Sequence, residues 1–130
     1  VLETILQDVL DTPVSPELLP QEDDKIVQKT EDIVGPYELH DFFIYHMVRF
    51  GDEPRKLYKK TKLAFKDKYD KDTIKKWLRL FYWRFFSQQF KRSCIPDGPK
   101  VGSVALSPRG DWRMPSDANV QIWLDEVERI

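Results

Sequence analysis

The sequence predicts an all-α fold. Three observations carry this expectation. Apolar residues recur three and four positions apart through several stretches of the chain. Prolines and glycines fall at the ends of those stretches rather than inside them. Only one short segment, Val101–Leu106, reads as a possible strand. The length of 130 residues and the 41% hydrophobic content suit one ordinary domain over 1–130, with about five helices and one long loop near the C-terminal end.

The elements follow in order. Leu2, Ile5, Leu6, Val9 and Leu10 form the stripe of an amphipathic helix, which Thr12-Pro13 stops. Residues 13–35 read as loop, with Pro13, Pro16 and Pro20 close together and a polar run at Gln21–Asp24. Pro36 suits a first helical turn, Glu38 and Asp41 favour its positive end, and Gly51 suits its stop. Glu53-Pro54 opens the next helix, with Leu57, Tyr58, Thr61, Ala64 and Phe65 inward. Asp70 or Asp72 is the expected cap of a fourth helix running to about Phe90. Its seam is Ile74, Trp77, Leu78, Phe81, Phe85 and Gln88, and Tyr82, Trp83 and Phe86 widen the apolar face. Residues 91–116 hold four of the nine prolines and three of the five glycines and form a long loop. Asp117 is the expected cap of a last helix built on Val120, Ile122, Trp123 and Val127.

The net charge of −1 hides a gradient. Residues 1–48 hold 11 acids and 2 bases, residues 49–100 hold 16 bases and 6 acids, and residues 101–130 hold 3 bases and 5 acids. The basic middle faces an anionic partner, pairs within the chain, or is a solvated face. The lone Cys94 excludes an internal disulfide and a Cys-based zinc site, and it fits a reducing, cytoplasmic setting. No apolar run reaches the ~20 residues that cross a bilayer. His40 and His46 are six apart and do not share a helix face as metal ligands would. No phosphate-binding glycine loop is present. The chain starts at Val1 inside a helical pattern, which is expected of a piece of a longer protein.

What remains is an anion-binding signature. Gln88–Ser93 sets Lys91, Arg92 and a hydroxyl where a helix gives way to loop. Ser107–Arg113 adds Arg109 and Arg113, with Asp111 to orient them and Trp112 to stack on a flat ring. Arginine forks onto phosphate or carboxylate, so these pairs suit a nucleotide. The alternative is that they pair with loop carboxylates and pin the loop. The aromatic stripe of the fourth helix, at helical spacing, reads as core rather than as a base-stacking platform.

Two long stretches carry a specific resemblance. Gln89-Phe90-Lys91-Arg92-Ser93-Cys94-Ile95-Pro96-Asp97-Gly98-Pro99-Lys100-Val101 is the first, and Leu106-Ser107-Pro108-Arg109-Gly110-Asp111-Trp112-Arg113-Met114-Pro115-Ser116-Asp117 is the second. Together they resemble the C-terminal end of bacterial glutamine-dependent NAD+ synthetases. Ser15-Pro16-Glu17-Leu18, Gln28–Asp32 and Gly35–Leu39 resemble segments further upstream in that family.

The resemblance implies a ligase that adenylates deamido-NAD with ATP and Mg2+ and then amidates it with ammonia from an N-terminal glutaminase domain. It implies that Lys91 contacts deamido-NAD and Ser15 contacts ATP, with 92–116 as a lid. Arg92, Arg109, Asp111 and Arg113 are then expected to order the lid or meet phosphate. No residue here is implied as catalytic or as a metal ligand. The parent synthetase domain is α/β with a parallel nucleotide-binding sheet, whose pyrophosphate loop this chain lacks. The piece alone is expected to be inactive, its assembly a homo-oligomer, and its partners to include neither nucleic acid nor membrane. A basic helical nucleic-acid-binding or oligomerisation module is the alternative.

Overall fold

A computed structural model describes residues 1–12 and 30–130. The proline-rich stretch and Ser15 lie outside the described residues. Among those described there are seven helices and no strand, so the fold is all-α as expected. They form two compact units, Val1–Pro36 and Tyr37–Ile130.

The first unit contains α1 (Leu2–Asp11) and α2 (Thr30–Val34). The apolar stripe of α1 is present as predicted, yet Leu2, Ile5, Leu6, Val9 and Leu10 are all exposed. The five-residue α2 falls where loop was expected. It ends at Gly35, whose φ of 94° needs a residue without a Cβ and whose N–H closes the turn on the Glu31 carbonyl at 2.8 Å.

The second unit is a helical bundle of α3 (Tyr37–Phe50), α4 (Pro54–Ala64), α5 (Lys71–Ser87), α6 (Gln89–Ser93) and α7 (Gln121–Glu128). Each of α3, α4 and α7 packs against α5. The reason is the width of the α5 apolar face: Ile74, Leu78, Phe81, Tyr82, Phe85 and Phe86 are all buried. Leu39, Phe43 and Met47 of α3, Leu57 and Tyr58 of α4, and Leu124 and Val127 of α7 complete the core. Trp83, expected on the buried face, is 43% exposed. Ala64 is also on the surface rather than inward. Burial of this many large side chains is the dominant stabilising term, at ~1.5–3 kcal/mol for each fully buried one.

Local chemistry sets the ends. Gly51 stops α3 at φ 64°, with its N–H on the Met47 carbonyl at 3.0 Å. Pro54 starts α4. Asp70 caps α5 by accepting from Thr73 N at 2.7 Å. Polar contacts then tie α7 to its neighbours. Glu128 accepts from Arg79 Nε at 2.6 Å, and Glu126 accepts from Arg55 N at 3.0 Å.

Three boundaries differ from the sequence reading. α5 breaks at Gln88 instead of continuing to Phe90, and α6 restarts at Gln89. Asp117 does not cap the last helix. The N-cap position is Val120, and the Asn119 carboxamide just before it accepts from Gln121 N at 2.7 Å, while residues 116–117 form a turn. Val101–Leu106 is not a strand, since no second extended segment pairs with it among the described residues.

Candidate functional site

The segment joining α6 to α7 carries the basic signature, and it is far from featureless. Leu106, Trp112, Met114, Ala118 and Val120 are partly buried against the core. Ser107-Pro108-Arg109-Gly110 has the residue types of a tight turn, with serine first, proline second and glycine last. The Gly110 N–H meets the Ser107 carbonyl at 3.0 Å, and the Ser107 hydroxyl accepts from Arg109 N at 3.3 Å. Trp112 stands edge-on to Phe85 of α5, with ring centroids 5.2 Å apart. These contacts bring the returning half of the segment onto the end of α5, close to α6.

The polar residues of the segment divide into two groups. Arg92, Arg109 and Asp111 are engaged within the chain. Arg92 is half-buried: its Nε donates to Gln89 Oε1 at 2.8 Å, its Nη2 donates to the Phe85 carbonyl, and its guanidinium lies 4.3 Å above the Phe85 ring. Burial lowers its pKa from the ordinary arginine value. Arg109 pairs with Asp97 and donates to the Ile95 carbonyl. Asp111 accepts from Lys100 Nζ at 2.6 Å and from Ala105 N at 2.9 Å. The Lys100 hydrogen bond, with that from Ala105, holds the Asp111 carboxyl below the usual carboxylate range. The two ends of the segment are thus laced together.

Lys91 and Arg113 form the second group. Both are exposed. The Lys91 ammonium is 6.0 Å from the Phe90 ring centroid, and neither side chain has a salt bridge among the described residues. Among the described residues of the predicted set, these two make no ion pair. Ser15 lies outside the described residues.

A hollow of about 220 Å³ lies between the end of α3 and this segment, lined by Val48, Arg49, Lys100, Ser103, Val104 and Asp111. Arg49 was not singled out in the sequence; its signal was a lone cation beside the Phe50-Gly51 helix stop.

Part of the basic middle is taken up by internal pairing. Lys56 and Lys60 meet Asp52, Lys68 meets Glu38, and Arg79 meets Glu128. His46 bonds Asp52 at 3.1 Å, and His40 packs by Phe43 and Phe81. Cys94 is exposed, its thiol directed at the Phe90 carbonyl at 3.4 Å. Among the described residues no group of three or more His, Cys, Asp or Glu side chains could hold a metal ion. No described helix is long and apolar enough to cross a membrane.

The site so built is a laced loop at a helix junction that keeps two cations outward. No protein-family profile matches the chain. Curated proteins do. It is 43% identical to the glutamine-dependent NAD(+) synthetase of Mycobacterium leprae, over 98% of this chain and 22% of that protein. It is 41% identical to the proteins of the same name from Mycobacterium bovis and Mycobacterium tuberculosis, over 96% of this chain and 21% of each. The chain is a homologue of glutamine-dependent NAD(+) synthetases through nearly its whole length. It spans about a fifth of theirs.

Proposed function

We propose that this chain is the C-terminal part of the synthetase domain of a glutamine-dependent NAD+ synthetase, and that its 92–116 segment is the lid over the substrate. In the reaction the nicotinate carboxylate of deamido-NAD attacks the α-phosphorus of ATP and pyrophosphate leaves. Ammonia delivered from the glutaminase domain then attacks the acyl carbon, AMP leaves, and NAD+ forms. Two polyanions have to be held side by side, so cations must offset their repulsion.

The observation that carries this reading is the division of the cations. Lys91 stays exposed and outside any salt bridge of the described residues, while its neighbour Arg92 is bound inward and Arg109 of the same segment is paired with Asp97. Lys91 contacts the deamido-NAD phosphates as a point charge. Arg113 is the second ligand-facing cation. Arg92, Arg109 and Asp111 order the lid. Ser15 contacts ATP. Mg2+ enters with ATP, and no residue of this chain is assigned to it. A stretch spanning about a fifth of its relatives has no turnover alone, and the working assembly is a homo-oligomer.

The test uses the full-length protein with Lys91→Ala. NAD+ formation is followed from deamido-NAD, ATP and free ammonia, so that the glutaminase step is bypassed. The expected result is a rise of about tenfold or more in KM for deamido-NAD, equal to ~1.4 kcal/mol of lost binding, at an unchanged melting temperature. Wild-type kinetics in the variant would remove Lys91 from the site.

A further inference from the structure

We propose that Arg92 is a positioning residue, one that holds Lys91 toward the substrate by fastening α6 to the last turn of α5. The inference rests on the reading of Lys91 given above.

A five-residue helix has no stability of its own, because the cost of its first turn is not repaid. α6 follows the break at Gln88, so its orientation must come from tertiary contacts. Two are in place. Gln89 is fully buried, and its Oε1 accepts from Arg92 Nε. Arg92 reaches back to donate to the Phe85 carbonyl and covers the Phe85 ring. Trp112 meets the same ring edge-on, so one aromatic holds both the start of the loop and its return. Neighbouring residues on a helix project about 100° apart. With Arg92 fixed inward, Lys91 has to project away from α5, and it is exposed.

The composition of this junction is not what packing alone would select. A buried carboxamide and a half-buried charge each cost desolvation that apolar residues of similar volume would avoid. Gln89 Nε2 is buried without a hydrogen-bond partner among the described residues, so the pair is not optimised for stability. What the guanidinium supplies, and an apolar side chain cannot, is direction: a planar fork that engages two acceptors while lying flat on a ring.

The test is a double-mutant cycle in the full-length protein, with free ammonia as nitrogen donor and KM for deamido-NAD as readout. Arg92→Met is expected to raise KM about tenfold with kcat little changed, at temperatures well below its melting point. In the Lys91→Ala background the same change is expected to shift KM by less than about twofold, since no ammonium is left to position. Arg92→Lys is expected to fall between the two, because it keeps the charge and loses the fork. It also serves where Arg92→Met does not fold. Equal effects of the Arg92 change in both backgrounds would overturn the inference, since Arg92 would then be touching substrate itself or acting on the fold at large. Unchanged KM on replacing Arg92, with Lys91→Ala still harmful, would overturn it too while sparing the Lys91 contact. A silent Lys91→Ala would remove both.

Discussion

Asp52 and Lys60 meet at 2.5 Å in the corner between α3 and α4, and the Asp52 side chain is wholly buried. Lys56 reaches the other carboxylate oxygen at 2.8 Å, and His46 Nδ1 lies 3.1 Å from the oxygen Lys60 holds. Burial by itself would raise the Asp52 pKa. The hydrogen bonds from Lys56 and Lys60 outweigh it and hold the carboxyl below its ordinary range. The corner that turns the chain out of α3 is therefore an ionic one, and it absorbs two of the cations of the basic middle.

Asp52→Asn is expected to destabilise the fold by about 2 kcal/mol at pH 7, less than for a fully buried ion pair because both lysines reach solvent. A carboxyl whose pKa is lowered by folding contributes stability above its unfolded value of ~3.9 and loses it as pH falls through the folded value. Urea melts at pH 7 and pH 3 check this. The gap between wild type and variant should narrow in acid, and a gap independent of pH would show that the charge is not what matters.

Gly51→Ala tests the stop of α3. No atom lies within 4 Å of the added Cβ, so the whole effect comes from the φ of +64°. An L-residue there costs about 1 kcal/mol. Thermal unfolding should register that loss, and a neutral result would mean the turn relaxes to another conformation.

Leu78 is fully buried on α5, at the centre of the helices that surround it. Leu78→Ala should cost roughly 3 kcal/mol, from lost transfer energy plus the cavity. Denaturant titration measures it. A cost below ~1 kcal/mol would place the organising core elsewhere.

Asp111→Asn removes the carboxylate that accepts from both Lys100 and Ala105. The helices do not depend on this contact, so the melting temperature should stay near wild type. Limited proteolysis between residues 100 and 111 should become faster. In wild type the same loosening is expected on acidification, because a carboxyl with a lowered pKa loses its contribution as pH falls. Unchanged cleavage in the variant would show that the loop is held by its apolar anchors alone.

Much of the fold was legible before the structure. α3, α4, α5 and α7 announce themselves through apolar spacing, and Pro54, Gly51 and Asp70 mark ends that the structure keeps. The misses share a cause. The short α2, the break at Gln88 and the Asn119 turn into α7 are decided by one or two hydrogen bonds, too little to leave a periodic trace. The 101–106 segment had the residue types of a strand and no second strand to pair with.

The candidate site was legible in kind and not in detail. Lys91, Arg92, Arg109, Asp111 and Arg113 stand out in the sequence as one charged group around prolines and glycines. Their charges and spacing give no hint that they face different ways. Arg92 turns toward Phe85 and Gln89, Arg109 toward Asp97, and Asp111 toward Lys100, while Lys91 and Arg113 remain outward.

The sequence by itself determined that the chain is helical, where its main helices lie, and which loop holds the cations. Those are local properties, set by side-chain period, backbone restriction at proline and glycine, and composition. Only the tertiary structure decided which of these cations pair within the chain. That choice depends on which ring, carbonyl or carboxylate a distant element brings within reach, as Trp112 and Arg92 meeting on Phe85 make plain.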